Sequence, residues 1–288
     1  MMRSIFIGNN GIRAGWRFAM FVAIFGTLAV LAQFTASRIL HVNRPVGPIG
    51  PWLAVLGGAL VLVPMVIAAL VMSRVERRNI DDYGLPLRAP FVRRFLIGAA
   101  VGFASLSAVL GAIALAGGVQ FSVTAWSPAL LNACLGYLVT FALVGITEEF
   151  LFRGYAQATL AQGMSFWGAA ALLSLGFAAA HIGNPGETPM GVAQVAIYGL
   201  VFCYVLRVTG NLWFAVGYHM AWDWGETFFY GVPDSGQLGT ASFLHGTMLG
   251  PAWLSGGADG PEGSIWTTIA LLALIPIAHV LYARRARA

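Results

Sequence analysis

Eight apolar stretches, at roughly residues 16–36, 51–73, 94–117, 129–160, 165–182, 189–208, 211–230 and 264–283, take up most of this chain. Each is near the ~20 residues that a helix needs to cross ~30 Å of hydrocarbon. Only 9% of the 288 residues are charged and 58% are hydrophobic, whereas a soluble domain carries roughly 25% charged residues. The expected fold class is therefore all-α: a polytopic transmembrane helix bundle of about eight spans, forming one membrane-embedded domain over 1–288. The fifth and seventh stretches are the weakest assignments of the set, because each holds unusual polar residues. Pro45, Pro48 and Pro51 break the chain between the first two spans, and Asn184-Pro185-Gly186 separates the fifth from the sixth.

All sixteen basic residues are Arg, and they flank the apolar runs. That placement reads as topology and headgroup anchoring rather than a nucleic-acid surface. The densest patch, Arg74, Arg77, Arg78, Arg88, Arg93 and Arg94, is assigned to the cytoplasm. Alternating the remaining spans puts both termini inside, together with Arg207, Arg284, Arg285 and Arg287, and leaves Arg38 and Arg44 outside. The first run, preceded by Arg3, Arg13 and Arg17, is full span length without a convincing cleavage site, so it is kept as a helix. The stretch 231–263 has Asp234, Asp259 and Glu262 but no Arg, and is expected to be an outer, interfacial or re-entrant cover. Cys134 and Cys203 lie in apolar runs and should pack as small side chains without a disulfide. Gly98, Ala99, Ala100 and Gly102 allow close helix approach in lipid.

The chemistry is concentrated in a few ionisable residues inside apolar runs. Glu148 and Glu149 follow the run Ala129–Ile146, with Arg153 four residues after the second. A charge left unpaired in hydrocarbon costs several kcal/mol, so such a cluster points to function. His181, His219 and Asp223 lie in later spans. Counted from the turns near Gly163 and Gly210, Glu148 and His181 both fall roughly 22–27 Å along their helices, and His219 and Asp223 roughly 14 and 20 Å. A shared layer is permitted. The spacing of four puts His219 and Asp223 on one face, and the Glu149-before-Arg153 order favours a local ion pair. Glu148 points about 100° away and is freer to face a cavity. Phe177, four residues before His181, is a candidate wall of a substrate pocket. His41, His245 and His279 read as packing residues, and Glu226 as a group that either reaches the cavity or is hydrated at a span end.

Glu148-Glu149-x-x-x-Arg153, Phe177-x-x-x-His181 and His219-x-x-x-Asp223, in that order on successive late spans, resemble the CPBP family of CAAX-processing and bacteriocin-processing intramembrane proteases, also called Abi or Rce1-like. The resemblance covers about residues 130–225, with Tyr83-Gly84-Leu85 as a further short landmark. It implies an eight-helix bundle that hydrolyses peptide bonds in a water-filled cavity open to the cytoplasmic side. By motif, Glu148 would activate water with help from His181, His219 and Asp223 would stabilise the oxyanion, and Glu149 and Arg153 would support the site. The substrate would be a peptide or membrane-protein segment, and the setting a bacterial cytoplasmic membrane.

Asp223 introduces a difficulty, because the eukaryotic CAAX members have Asn there and an ionised carboxylate repels an oxyanion. Three resolutions stand: Asp223 is protonated, it only orients His219, or a cation such as zinc sits among Glu148, His181, His219 and Asp223. Two other classes compete with the protease: a non-catalytic immunity or regulatory protein of the same fold, and a proton-coupled transporter. Against the transporter, no paired inverted halves are visible.

Overall fold

A computed structural model describes residues 5–8, 11–38, 41, 47–88 and 90–282. Arg3, Arg44, Pro45, Arg284, Arg285 and Arg287 of the topology argument lie outside the described residues. The protein is a mostly helical, integral membrane protein. Its main helices are α1 (Ala14–Arg38), α2 (Pro51–Glu76), α3 (Phe91–Leu115), α4 (Pro128–Glu149, running on to Leu160), α5 (Phe166–His181), α6 (Pro189–Thr209), α7 (Trp213–Trp224, running on to Tyr230) and α8 (Ile265–Tyr282). These coincide with the eight expected stretches. Six of them, all but α5 and α7, are long and apolar enough to cross a membrane.

Local sequence sets the helix ends. Ser127, Ser165 and Thr188 accept hydrogen bonds from the backbone N–H of Leu130, Gly168 and Gly191, and Pro128 and Pro189 occupy the first helical positions of α4 and α6. Gly210 and Gly231 close α6 and α7 in the left-handed region, at φ 72° and 60°.

Both exceptions have a physical cause. Every residue of α7 from Trp213 to Asp223 is buried, so protein surrounds this helix and its polar groups need not be compatible with lipid. At 16 residues, α5 rises about 24 Å and stops short of a full span. The chain beyond it is packed under residues 251–264, where the Thr188 hydroxyl donates to Asp259 at 2.8 Å. Residues 231–263 are therefore packed on the bundle as a cover.

Two short antiparallel ribbons were absent from the sequence reading. One is β1 (Ile7–Gly8) with β2 (Gly11–Ile12). The other pairs β3 (Val119–Val123) with β4 (Leu244–Met248), Val119 opposite Met248, and ties the α3–α4 connection to the cover. Runs of two and five residues between helices leave too little alternation to be recognised as strands.

At the opposite end, Tyr83-Gly84-Leu85 acts as a clamp. Tyr83 is buried against Phe150 and Tyr155, while the carbonyl of Gly84, held at φ 103°, accepts from Leu212 N–H at 2.8 Å and so fixes the start of α7. Arg17 of α1 pairs with Glu76 of α2 at 2.8 Å, and Glu76 also accepts from Tyr155.

α7 is seated by glycines. A Cβ at Gly98 or Gly102 of α3 would collide with the carbonyls of Phe214 or Tyr218, and one at Gly217 with the carbonyl of Phe95. Backbone packs on backbone here, as small residues allow in lipid. Gly98→Val should lower the detergent melting point by the equivalent of ~3 kcal/mol or more, because the obstacle is main chain. Gly111→Ala on the same helix, where nothing lies within 4 Å, should leave it unchanged.

Candidate active site

Four helices converge on Glu149, which is 0% exposed. Its Oε1 accepts from Arg153 Nη1 at 3.3 Å on α4, from Tyr198 OH at 3.2 Å on α6, and from His219 Nδ1 at 3.0 Å on α7. Arg153 is equally buried. α5 supplies Phe177 beneath it, the guanidinium carbon lying 4.2 Å from that ring and 5.3 Å from the Tyr198 ring. Such a buried pair is fixed by its surroundings, since removing one partner strands the other.

The helix geometry changes immediately beyond Glu149. Phe150–Tyr155 is π-helical, and α7 makes the same change at Gly225–Tyr230, directly after Asp223 and Trp224. π-helical turns recur at functional sites because the extra residue re-aims side chains. Here one such turn carries Arg153 and the other carries Glu226.

The neighbouring Glu148 has a different environment. Its side chain is 31% exposed, and Oε2 lies 3.7 Å from His219 Nε2. That same nitrogen lies 3.3 Å from Asp223 Oδ2. Since Glu149 is acceptor-only, His219 carries a proton on Nδ1 and turns Nε2 toward Glu148 and Asp223. His181 is partly exposed and packs edge-on against Phe177, with ring centroids 4.6 Å apart. Its Nδ1 is 2.9 Å from the Phe177 carbonyl, which can only accept, so Nδ1 is the donor and Nε2 is left with a lone pair in the neutral ring.

The residues singled out in sequence thus fall into three groups. Glu148, Glu149, Arg153, His219 and Asp223 are linked by direct contacts. His181 joins through Phe177, which is 3% exposed and packs on Arg153 as well as on His181. His279 receives a hydrogen bond from Tyr204 or donates one to it, at 2.8 Å, and His245 lies in β4, both away from this network. Cys134 and Cys203 form no disulfide. Glu226 is not hydrated at a span end: it is 0% exposed.

Sequence reasoning missed Tyr198, whose hydroxyl is the third donor to Glu149. One tyrosine in an apolar span carries no periodic signal. It also gave no site role to Glu187 or to the acids of the cover. Glu187 and Asp259 sit together near His181 and Thr188, at a position where a Cβ on Gly191 would strike both carboxylates. The four residues offered to a zinc ion do not include a three-way group within 4.8 Å; among the described residues the group that does is Asp223, Glu226 and Asp234.

The family model described as Rce1-like, type II CAAX prenyl endopeptidase Rce1-like, matches residues 130–225. This segment is of the Rce1-like, CPBP family. It starts in α4 and ends in α7 just past Asp223, so every linked site residue falls inside it. A comparison with curated proteins finds no match.

Two outcomes follow. Arg153→Met should destabilise the protein by about 3–5 kcal/mol by stranding Glu149. Adding Glu149→Gln should recover part of that loss in the melting curve of the double variant, rather than add to it. The second outcome concerns pH. Burial, then the Asp259 and Glu262 carboxylates, push the Glu187 carboxyl up from 4.5 to about 7, and burial pushes Asp259 up to about 6. The folded state therefore holds these protons more tightly than the unfolded chain. Their contribution is most favourable below about pH 4.5 and is lost as pH rises toward 7. Hydrogen exchange in 183–188 and 251–263, corrected for intrinsic rate, should be slower at pH 5 than at pH 8. Glu187→Gln should reduce the difference.

Proposed function

We propose that the protein is an intramembrane endopeptidase in which Glu148 is the general base. The observation that carries this reading is the unequal use of the two adjacent carboxylates. Glu149 is committed to three donors and closed to solvent, whereas Glu148 is only half-buried beside His219 Nε2. The match to a CAAX endopeptidase family supplies the reaction class.

The steps follow from elementary chemistry. Glu148 takes a proton from water as the oxygen attacks the scissile carbonyl carbon, and the carbonyl π electrons move onto oxygen. His181, with its Nε2 lone pair, helps hold the water. His219 can donate from Nε2 to the oxyanion only as an imidazolium, since Nδ1–H is already given to Glu149. The carboxylates of Glu149 and Asp223 compensate that charge, so Asp223 acts through His219. Collapse of the tetrahedral intermediate breaks the C–N bond, and the proton on Glu148 passes to the leaving amine. Donors of the His219 type contribute about 3–4 kcal/mol in sites that exclude bulk water. Glu149, Arg153 and Tyr198 are positioning residues. The substrate is a peptide or membrane-protein segment, and a CAAX-terminated prenyl peptide, the substrate class in the family's description, is the first to test.

With such a peptide, or a peptide library, Glu148→Gln should lower kcat/KM by roughly 10²–10⁴-fold while leaving melting and membrane insertion unchanged. Full cleavage by that variant would remove the reading. A cellular phenotype that survives Glu148→Gln combined with His181→Ala would favour a protein that acts by binding alone.

A further inference from the structure

From residue 208 to 283 the chain has Asp223, Glu226, Asp234, Asp259 and Glu262 but no Arg or Lys. Three of these acids meet where the cover rests on α7. Asp223, Glu226 and Asp234 each bring one carboxylate oxygen to a point where all three lie within 4.8 Å of one another. Asp223 is 6% exposed and Glu226 0%. Thr227 Oγ1 donates to Asp234 Oδ2 at 3.2 Å, and Glu262 closes the turn by accepting from Ser235 N–H at 3.0 Å and Ser235 Oγ at 2.6 Å.

Glu226 is the informative member. Both of its oxygens are sealed from solvent and neither has a hydrogen-bond partner; the Trp222 indole is a neighbour but completes no bond of acceptable geometry. A carboxylate with two open oxygens, aimed at two other carboxylates and sealed from water, is costly by several kcal/mol unless it takes up a proton or a cation meets it. The spacing suits an ion. With Ca²⁺–O bonds of about 2.3–2.6 Å, ligand oxygens on opposite sides of the ion are about 4.6–5.2 Å apart, and adjacent ones are closer. The donors are all oxygen, with no thiolate or imidazole among the three, a set that suits hard cations such as Ca²⁺, Mg²⁺ or Mn²⁺.

We propose that Asp223, Glu226 and Asp234 bind one divalent, oxygen-preferring cation that fastens the cover to α7. The site differs from the zinc set considered from sequence, sharing only Asp223, and it stands whether or not the protein is a protease. Because Asp223 also lies 3.3 Å from His219 Nε2, the ion would couple seating of the cover to the position of that histidine.

The full-length protein in detergent, stripped with a chelator and titrated with Mn²⁺, gives a direct reading by electron paramagnetic resonance. One Mn²⁺ should bind per chain, excess Ca²⁺ should release it, and Ca²⁺ or Mn²⁺ should raise the melting point. Glu226→Gln and Asp234→Asn should each weaken binding at least tenfold and abolish the melting shift, while Asp81→Asn, in the α2–α3 connection, should change neither. Wild-type protein that binds no Mn²⁺ at millimolar concentration overturns the site, however the variants fold. So does binding that persists unchanged in folded Glu226→Gln and Asp234→Asn.

Discussion

A buried charge has to be answered by its surroundings, and the contact between Glu149 and Arg153 shows how this bundle does so. One carboxylate oxygen takes donors from α4, α6 and α7, while the guanidinium lies on an aromatic ring from α5. Four helices are thereby fixed at one depth. Hydrophobic burial alone would not fix their rotation, because lipid is as apolar as the helix surfaces themselves. The ring orientation of His219 follows from the same contact, and with it the direction of the nitrogen that faces Glu148 and Asp223.

The irregular parts of the fold serve that arrangement. α5 is too short to span, α7 is too polar to face lipid, and each of the two helices that carry the acids changes to π geometry just after them. A regular span would carry Arg153 and Glu226 elsewhere around its axis. Space left by the short α5 is taken by a cover whose acids, Asp234, Asp259 and Glu262, extend the polar interior away from the helices. The tight α3–α7 crossing, made of Gly98, Gly102 and Gly217 against main chain, compensates for the apolar side chains that α7 gives up to its site.

Much of this was legible in the chain. Eight apolar runs locate the helices, because length in hydrocarbon is a local property. The five linked site residues were legible as well, since spacing by four on a helix and rarity in an apolar run are visible without coordinates. Tyr198 was not, because its role depends on which way α6 faces. Nor were the β3–β4 ribbon or the meeting of Asp234 with Glu226, which join residues far apart in sequence through a segment without periodicity. Glu149 was read as a local partner of Arg153, and only the tertiary structure shows it also holding His219.

The central claim is that two consecutive carboxylates have different environments, Glu148 half-buried beside His219 and accessible from outside the protein, Glu149 sealed within it. Thiol accessibility tests it most directly. In a background with Cys134→Ser and Cys203→Ala, single Glu148→Cys and Glu149→Cys variants would be treated in native membranes with a charged, membrane-impermeant thiol reagent, applied from each side in turn. The account predicts labelling of the Glu148→Cys protein from one side, and labelling of the Glu149→Cys protein only after denaturation. Equal labelling of both, or labelling of Glu149→Cys alone, would contradict it.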